Sequence, residues 1–297
     1  MFCLENEFIK IQVDPKGAEL KSVYNKSLEK EILYDGKSPF WNRSAPILFP
    51  IVGRLKENSY HHGGANFELS QHGFARNEQF ALSEQNENQV VFSLKSSEKS
   101  LEIFPFEFEL KISYVLENEK VITKYQLINS GKKELLFSIG AHPGFVCPIH
   151  ENENFEDYFL EFEEKENLER HLLNCETGLF TGETEILAQD SSHLDLSYSY
   201  FLKDAIVFKD LKSTWIKLKS KKSTYCLTFS FENFPYFGIW TKENAQFICL
   251  EPWCGLADSE NSSQKFEQKE GINYLLAGEK FERKYSFWVN FYEKVKQ

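Results

Sequence analysis

Methionine is almost missing from this chain of 297 residues, which has one, against 28 Phe, 13 Tyr and 5 Trp. A helix-rich protein of this size draws on Met and Ala, whereas aromatic side chains suit a pleated, half-buried surface, so the balance points to strands. Cysteine is sparse too. Cys3, Cys147, Cys175, Cys226, Cys249 and Cys254 include no CxxC pair, which leaves buried free thiols rather than a disulfide framework. No apolar run approaches the roughly 18 residues of a membrane span. Met1–Lys10 lacks the basic start and apolar centre of a signal peptide, so a cytoplasmic protein with no membrane partner is the default expectation. Basic tracts are absent as well, and the net charge of −11 (45 acidic against 34 basic residues) repels nucleic acid. There is no P-loop and no GxGxxG, hence no nucleotide fingerprint. Without an internal repeat, a low-complexity tract or a Gly/Ser linker, residues 1–297 read as one domain.

What is present is alternation. FIKIQV, the turn Asp14-Pro15-Lys16-Gly17 and AELKSVY predict a hairpin. QVVFSLK, FEFELKISYVL and KVITKYQLIN follow as strand-like runs. In the last of these Val121, Thr123, Tyr125 and Leu127 face one way, with Lys124 and Gln126 on the other side. TWIKLKS and STYCLTFSF form a second hairpin across Lys221-Lys222, before YFGIWT, FICLEPW and KYSFWVNFY. The charged stretch 150–175 reads as a solvated face with an exposed strand or short helix. Pro50 interrupts the apolar run Ile47–Val52 and argues for an edge strand opening into a loop. Many short strands without a long helix indicate an all-β fold, one large antiparallel β-sandwich.

Three titratable residues stand at the ends of apolar runs beside turn-formers: His72 in HGFAR, His142 in GAHPGF and Glu251 in FICLEPW. A histidine in such a place is commonly a hydrogen-bonded structural residue. Glu251, between an apolar strand and Pro252-Trp253, is desolvated. Its pKa therefore rises unless something pairs with it, which suits a general base or a salt-bridged structural carboxylate. His61-His62 lies in a turn with Gly63-Gly64, and no His/Cys/Asp set at ligand spacing accompanies it, so no metal is expected. Asp190-Ser191-Ser192-His193 has triad-type residues but no GxSxG elbow, which discounts serine hydrolysis.

In order and spacing, FPIVGRL, HGFAR, GAHPGF, GIWT, CLEPWCGLAD and YLLAGEKF resemble the aldose 1-epimerase (galactose mutarotase-like) family, and within it the LacX-like branch associated with bacterial lactose and galactose utilisation. The resemblance implies a β-sandwich with an open sugar cleft, no cofactor and a small-molecule sugar substrate such as galactose or glucose. It places Glu251 as general base and His142 as general acid, although GAHPGF departs from the Asn-His-Ser-Tyr-Phe form of galactose mutarotases. His72 and Arg54 match the positions that hold the sugar's ring oxygen and hydroxyls. Asp204, preferred to Asp210, matches the ligand-holding aspartate, and Trp240 or Trp253 is available to stack on a pyranose. Arg76 is similar to the phosphate-binding arginines of hexose-6-phosphate mutarotases, which keeps a phosphosugar open beside the free hexose. A non-catalytic carbohydrate-binding module on the same fold is the alternative from another class. A homodimer stays open.

Overall fold

The strands expected from alternation form, and they pair antiparallel throughout. The computed structural model describes residues 1–291. Among these, four strands at the N-terminus (Phe2–Glu5, Ile9–Asp14, Glu19–Asn25 and Lys30–Glu31) make a small sheet, and fifteen more make a continuous one. The large sheet runs from the two-residue edge strand Ile47–Leu48 through Ile139–Ala141, Phe247–Cys254, Tyr236–Trp240 and Ile206–Phe208 to Tyr158–Leu173. It then continues through the hairpin Trp215–Ser220/Tyr225–Ser230 to Lys280–Phe291, Lys120–Asn129, Phe108–Glu117, Gln89–Lys95 and Ala81–Gln85. The hairpin of the opening strands, with Ile9 opposite Asn25, and the hairpin of Phe108 opposite Asn129 match the alternation in the sequence. The chain thus has an all-β architecture, a large antiparallel sandwich.

Period-2 packing explains the burial. In Lys120–Asn129, Val121, Thr123, Tyr125 and Leu127 are buried while Lys124 is exposed. Phe49, Phe104, Phe108 and Phe137 meet in edge-to-face and tilted pairs with centroids 5.0–6.5 Å apart, the arrangement aromatic quadrupoles favour. The one short α-helix among the described residues, Glu98–Ile103, starts at a Ser97/Ser100 capping box.

The charged stretch is the main correction to the expectation from sequence. Tyr158–Leu173 is a sixteen-residue strand whose inner row buries Tyr158, Leu160, Phe162 and Leu168, and also Glu166 and Arg170. Those two charges are tolerated because each has partners. Glu166 accepts from the Lys212 and Ser213 amides and the Ser213 hydroxyl, and Arg170 donates to Glu185 and the Tyr200 carbonyl. Only the outer row is the solvated face that the charge content suggests. Its partner, Phe180–Asp195, has polar and charged residues on both faces and no alternation to reveal it. No helix among the described residues is long and apolar enough to cross a membrane.

Candidate active site

All eight residues of Phe247–Cys254 are buried, and the pleat divides them between two environments. Ile248 and Leu250 enter the main core, while Phe247, Cys249, Glu251 and Trp253 face the other side. Register is therefore decisive: a slip of one residue would drive the Glu251 carboxyl into the main core. Glycine lies directly across from three of these four side chains, with Gly144 opposite Cys249, Gly238 opposite Glu251 and Gly140 opposite Trp253. The Trp253 ring occupies that space. A Cβ at Gly238 would stand 2.6 Å from the indole, and one at Gly140 2.7 Å.

A cavity of about 670 Å³ opens above this row, within the size range of small-molecule sites. Glu251 and Trp253 lie on its floor, and His142 reaches it from the loop after Ile139–Ala141. Arg54, His72, Arg76, Asp204 and Trp240 also line it. The structure thus brings Arg54, His72, Arg76, His142, Asp204, Trp240 and Glu251 to one cavity. Asp210 is not among its lining residues.

At its centre His142 Nε2 is 3.2 Å from Glu251 Oε1, with the two residues 8% and 1% exposed. Burial disfavours charge on both. It raises the Glu251 carboxyl well above the usual range, helped by the charge of Asp204, while the nearby Trp253 indole opposes part of that shift without making a hydrogen bond of normal geometry. Burial likewise pushes His142 down to about 3, partly countered by its own backbone and reinforced by Arg76. The short distance resembles an ion pair, but burial disfavours the charged form of each member. His142 Nδ1, Glu251 Oε2 and Trp253 Nε1 are buried without a hydrogen-bond partner among the described residues. In a folded core such atoms are few, and here three converge on one cavity.

His72 is arranged differently. Its Nδ1 accepts from the Gly53 amide at 3.1 Å, and its own amide donates to the Gly53 carbonyl at 2.8 Å. An Nδ1 that accepts leaves the proton on Nε2, so His72 is a fixed neutral donor. Burial and the neighbouring His142, Arg76 and Arg54 charges hold its pKa well below the usual imidazole range. Its ring meets that of His142 edge-on at 5.7 Å.

The two arginines form the cationic wall. Arg76 donates through Nη2 to the Gln71 carbonyl at 2.6 Å, and its Nε has no partner among the described residues. Neither Arg54 nor Arg76 is within ion-pair distance of a described carboxylate. Glu19 attracts Arg76 from further off, while burial, aided by Arg43, lowers the guanidinium to about 10.

Sequence reasoning missed Trp41, which stacks on His142 at 4.8 Å and 30° and meets Trp240 edge-on at 5.8 Å. It also missed Phe180 on the opposite wall. Neither has a local signal, because Trp41 follows a turn and Phe180 opens an unpatterned strand. The donor atoms of His142, Cys249 and Glu251 lie within 4.8 Å of one another and could hold a metal ion, a grouping invisible to a search for ligand spacing. Burial, and for the thiol the Glu251 charge, raises both Cys249 and Glu251, so a cation there would have to displace their protons.

Residues 1–268 match the family model for aldose 1-epimerase. A curated relative, the chromosomal protein LacX of Lactococcus lactis subsp. lactis, is 37% identical over 295 residues, covering 96% of this chain and 98% of that protein. Among solved structures, a galactose mutarotase related enzyme from Lactobacillus acidophilus superposes with a TM-score of 0.92 at 30% identity, covering 100% of this chain and 99% of that one. A galactose mutarotase-like protein from Lactobacillus casei ATCC 334 superposes with a TM-score of 0.91 at 29% identity, covering 98% and 100%.

Proposed function

Because the chain belongs to the aldose 1-epimerase family, we propose that it interconverts the α and β anomers of a free hexose such as galactose or glucose by acid–base ring opening and closure. The observation that carries this reading is the buried His142–Glu251 contact of 3.2 Å on the cavity floor. The anomeric hydroxyl and the ring oxygen are both bonded to C1, so a mutarotase needs two proton-transfer groups within reach of one carbon. A pair sharing a single proton supplies both, because with that proton carried across the contact to His142 the Glu251 carboxylate can accept while His142 donates.

Glu251 takes the proton of the C1 hydroxyl as His142 delivers one to the ring oxygen. The C1–ring oxygen bond breaks, its electron pair remains on the oxygen, and C1 becomes an aldehyde. Rotation about C1–C2 presents the other face. Ring closure reverses both transfers and restores the pair to its starting state. His72, with its fixed Nε2–H, donates to a sugar oxygen without titrating. Arg54 and Asp204 hold hydroxyls, and Trp240 with Trp41 offers apolar surface to the pyranose.

A second reading, a hexose-6-phosphate substrate, is favoured by one observation: Arg54 and Arg76 both line the cavity without a carboxylate partner among the described residues. The net charge of −11 weighs against it. The test is NMR exchange between the anomers of galactose, glucose and glucose 6-phosphate. Exchange of the free sugars above the buffer rate is the expected result. Acceleration confined to the phosphosugar would favour the second reading. Binding without any exchange would make the protein a carbohydrate-binding module.

A further inference from the structure

Beneath the cationic wall lies a buried ion pair that proton transfer does not use. Lys269 Nζ donates to Asp258 Oδ1 at 2.7 Å, with the two side chains 2% and 3% exposed. Burying such a pair gains little stability over apolar residues of the same volume, so its geometry is the more informative feature. Asp258 is bonded to the chain at Arg54 and two residues after it. Its amide donates to the Arg54 carbonyl at 2.8 Å, and its Oδ2 accepts from the Lys56 amide at 3.0 Å. Its carbonyl accepts from the Phe180 amide at 2.9 Å, which ties in the facing wall. The Arg54 side chain passes between those two walls, so close that a Cβ at Gly178 would stand 3.1 Å from its Cδ. One residue before Arg54, Gly53 has φ +70° and its Cα lies against Ala257, where a Cβ would come within 2.6 Å of the alanine methyl.

We propose that Asp258, with its charge balanced by Lys269, is a positioning residue for Arg54 and sets hexose affinity rather than turnover. The inference rests on the proposed sugar site but not on its being catalytic. Lys269 supplies the countercharge that keeps Asp258 an acceptor within the core. Asp258 thereby fixes the backbone from which the Arg54 guanidinium projects.

The experiment replaces the pair by apolar residues, Asp258→Leu with Lys269→Met, in the full chain, alone and together with Arg54→Ala. Galactose and glucose affinities are measured by calorimetry, and kcat and KM by anomer exchange. The expected result is an affinity loss of about tenfold with kcat within about twofold, and no further loss from the apolar pair once Arg54 is alanine. A loss of the same size in the Arg54→Ala background would show a general structural role and overturn the proposal, as would an unchanged affinity or a parallel fall in kcat.

If the apolar pair does not fold, Lys56→Pro against Lys56→Ala decides the matter. Proline removes only the amide that Asp258 accepts from, at a position following the extended Leu55 that suits it. Weaker binding in the proline variant alone supports the clamp, and equal binding in both refutes it. A wild type that binds either sugar but exchanges no anomers would sink the proposed activity while leaving this inference to be judged on affinity. A wild type that binds neither sugar overturns both.

Discussion

The floor of the cavity and its cationic wall solve different physical problems. Glu251 is held within a strand and His142 directly after the end of another, burial disfavours charge on both, and they contact each other at 3.2 Å. Arg54 and His72 sit on irregular chain between short elements, and Arg76 in the 3-10 turn Ala75–Asn77. There Gly53 and His72 adopt positive φ and the arginines keep their charge in contact with the cavity. Groups that must exchange a proton gain from register, which sets their distance, and from low dielectric, which disfavours charge on each. Groups that hold a polar ligand gain from a loop whose backbone can be shaped around it and whose donors do not titrate. The floor should therefore control turnover and the wall affinity.

The largest expected effect breaks the floor. Glu251→Gln keeps the shape but cannot accept the proton of the C1 hydroxyl, so kcat for anomer exchange should fall by about 10²–10⁴-fold with sugar affinity nearly unchanged. Exchange NMR and calorimetry on one sample check both halves. On the wall, Arg54→Ala should raise KM by about tenfold or more while lowering kcat much less. A kcat collapse equal to that of Glu251→Gln would erase the distinction between the two regions.

The pH profile sharpens it. The pair works with one proton, so a second one, which the pair takes up only as pH falls toward about 3, leaves both members protonated and no base. Loss of the single proton as pH rises through the elevated Glu251 value removes the acid. The rate should hold between those two limbs and fall as pH rises through the elevated Glu251 value, and His72→Gln should leave that upper limb in place because burial and neighbouring charges lower the His72 pKa rather than raise it.

The smallest effect is on stability. With its folded pKa above the ordinary 4.5, Glu251 binds its proton more tightly in the folded state. Stability is therefore lost as pH climbs from the ordinary value to the raised one. Glu251→Gln should match the wild-type Tm at acidic pH and exceed it at alkaline pH by about 2–4 °C, read from melting curves across pH.

Much of this molecule is legible in the chain itself. Alternating apolar residues, as in Lys120–Asn129, determine which side of a strand is buried, because the pleat has a period of two and water is excluded from one face. Turn-formers between such runs determine the hairpins. A carboxylate set into FICLEPW is desolvated wherever that strand goes, so Glu251 stands out without a structure. The sequence fails where position depends on partners far along the chain. Glu166 and Arg170 look solvated until their partners close over them. Asp204 and Asp210 look alike in the chain, and only the fold brings Asp204, not Asp210, to the cavity lining. Trp41 reaches His142 only through the fold, and the Asp258–Lys269 pair acquires a meaning only when Arg54 is laid across it. Local pattern determines burial through backbone geometry. Only the long-range register of the sheet, which places glycines opposite Glu251 and Trp253, decides which buried and half-buried groups meet.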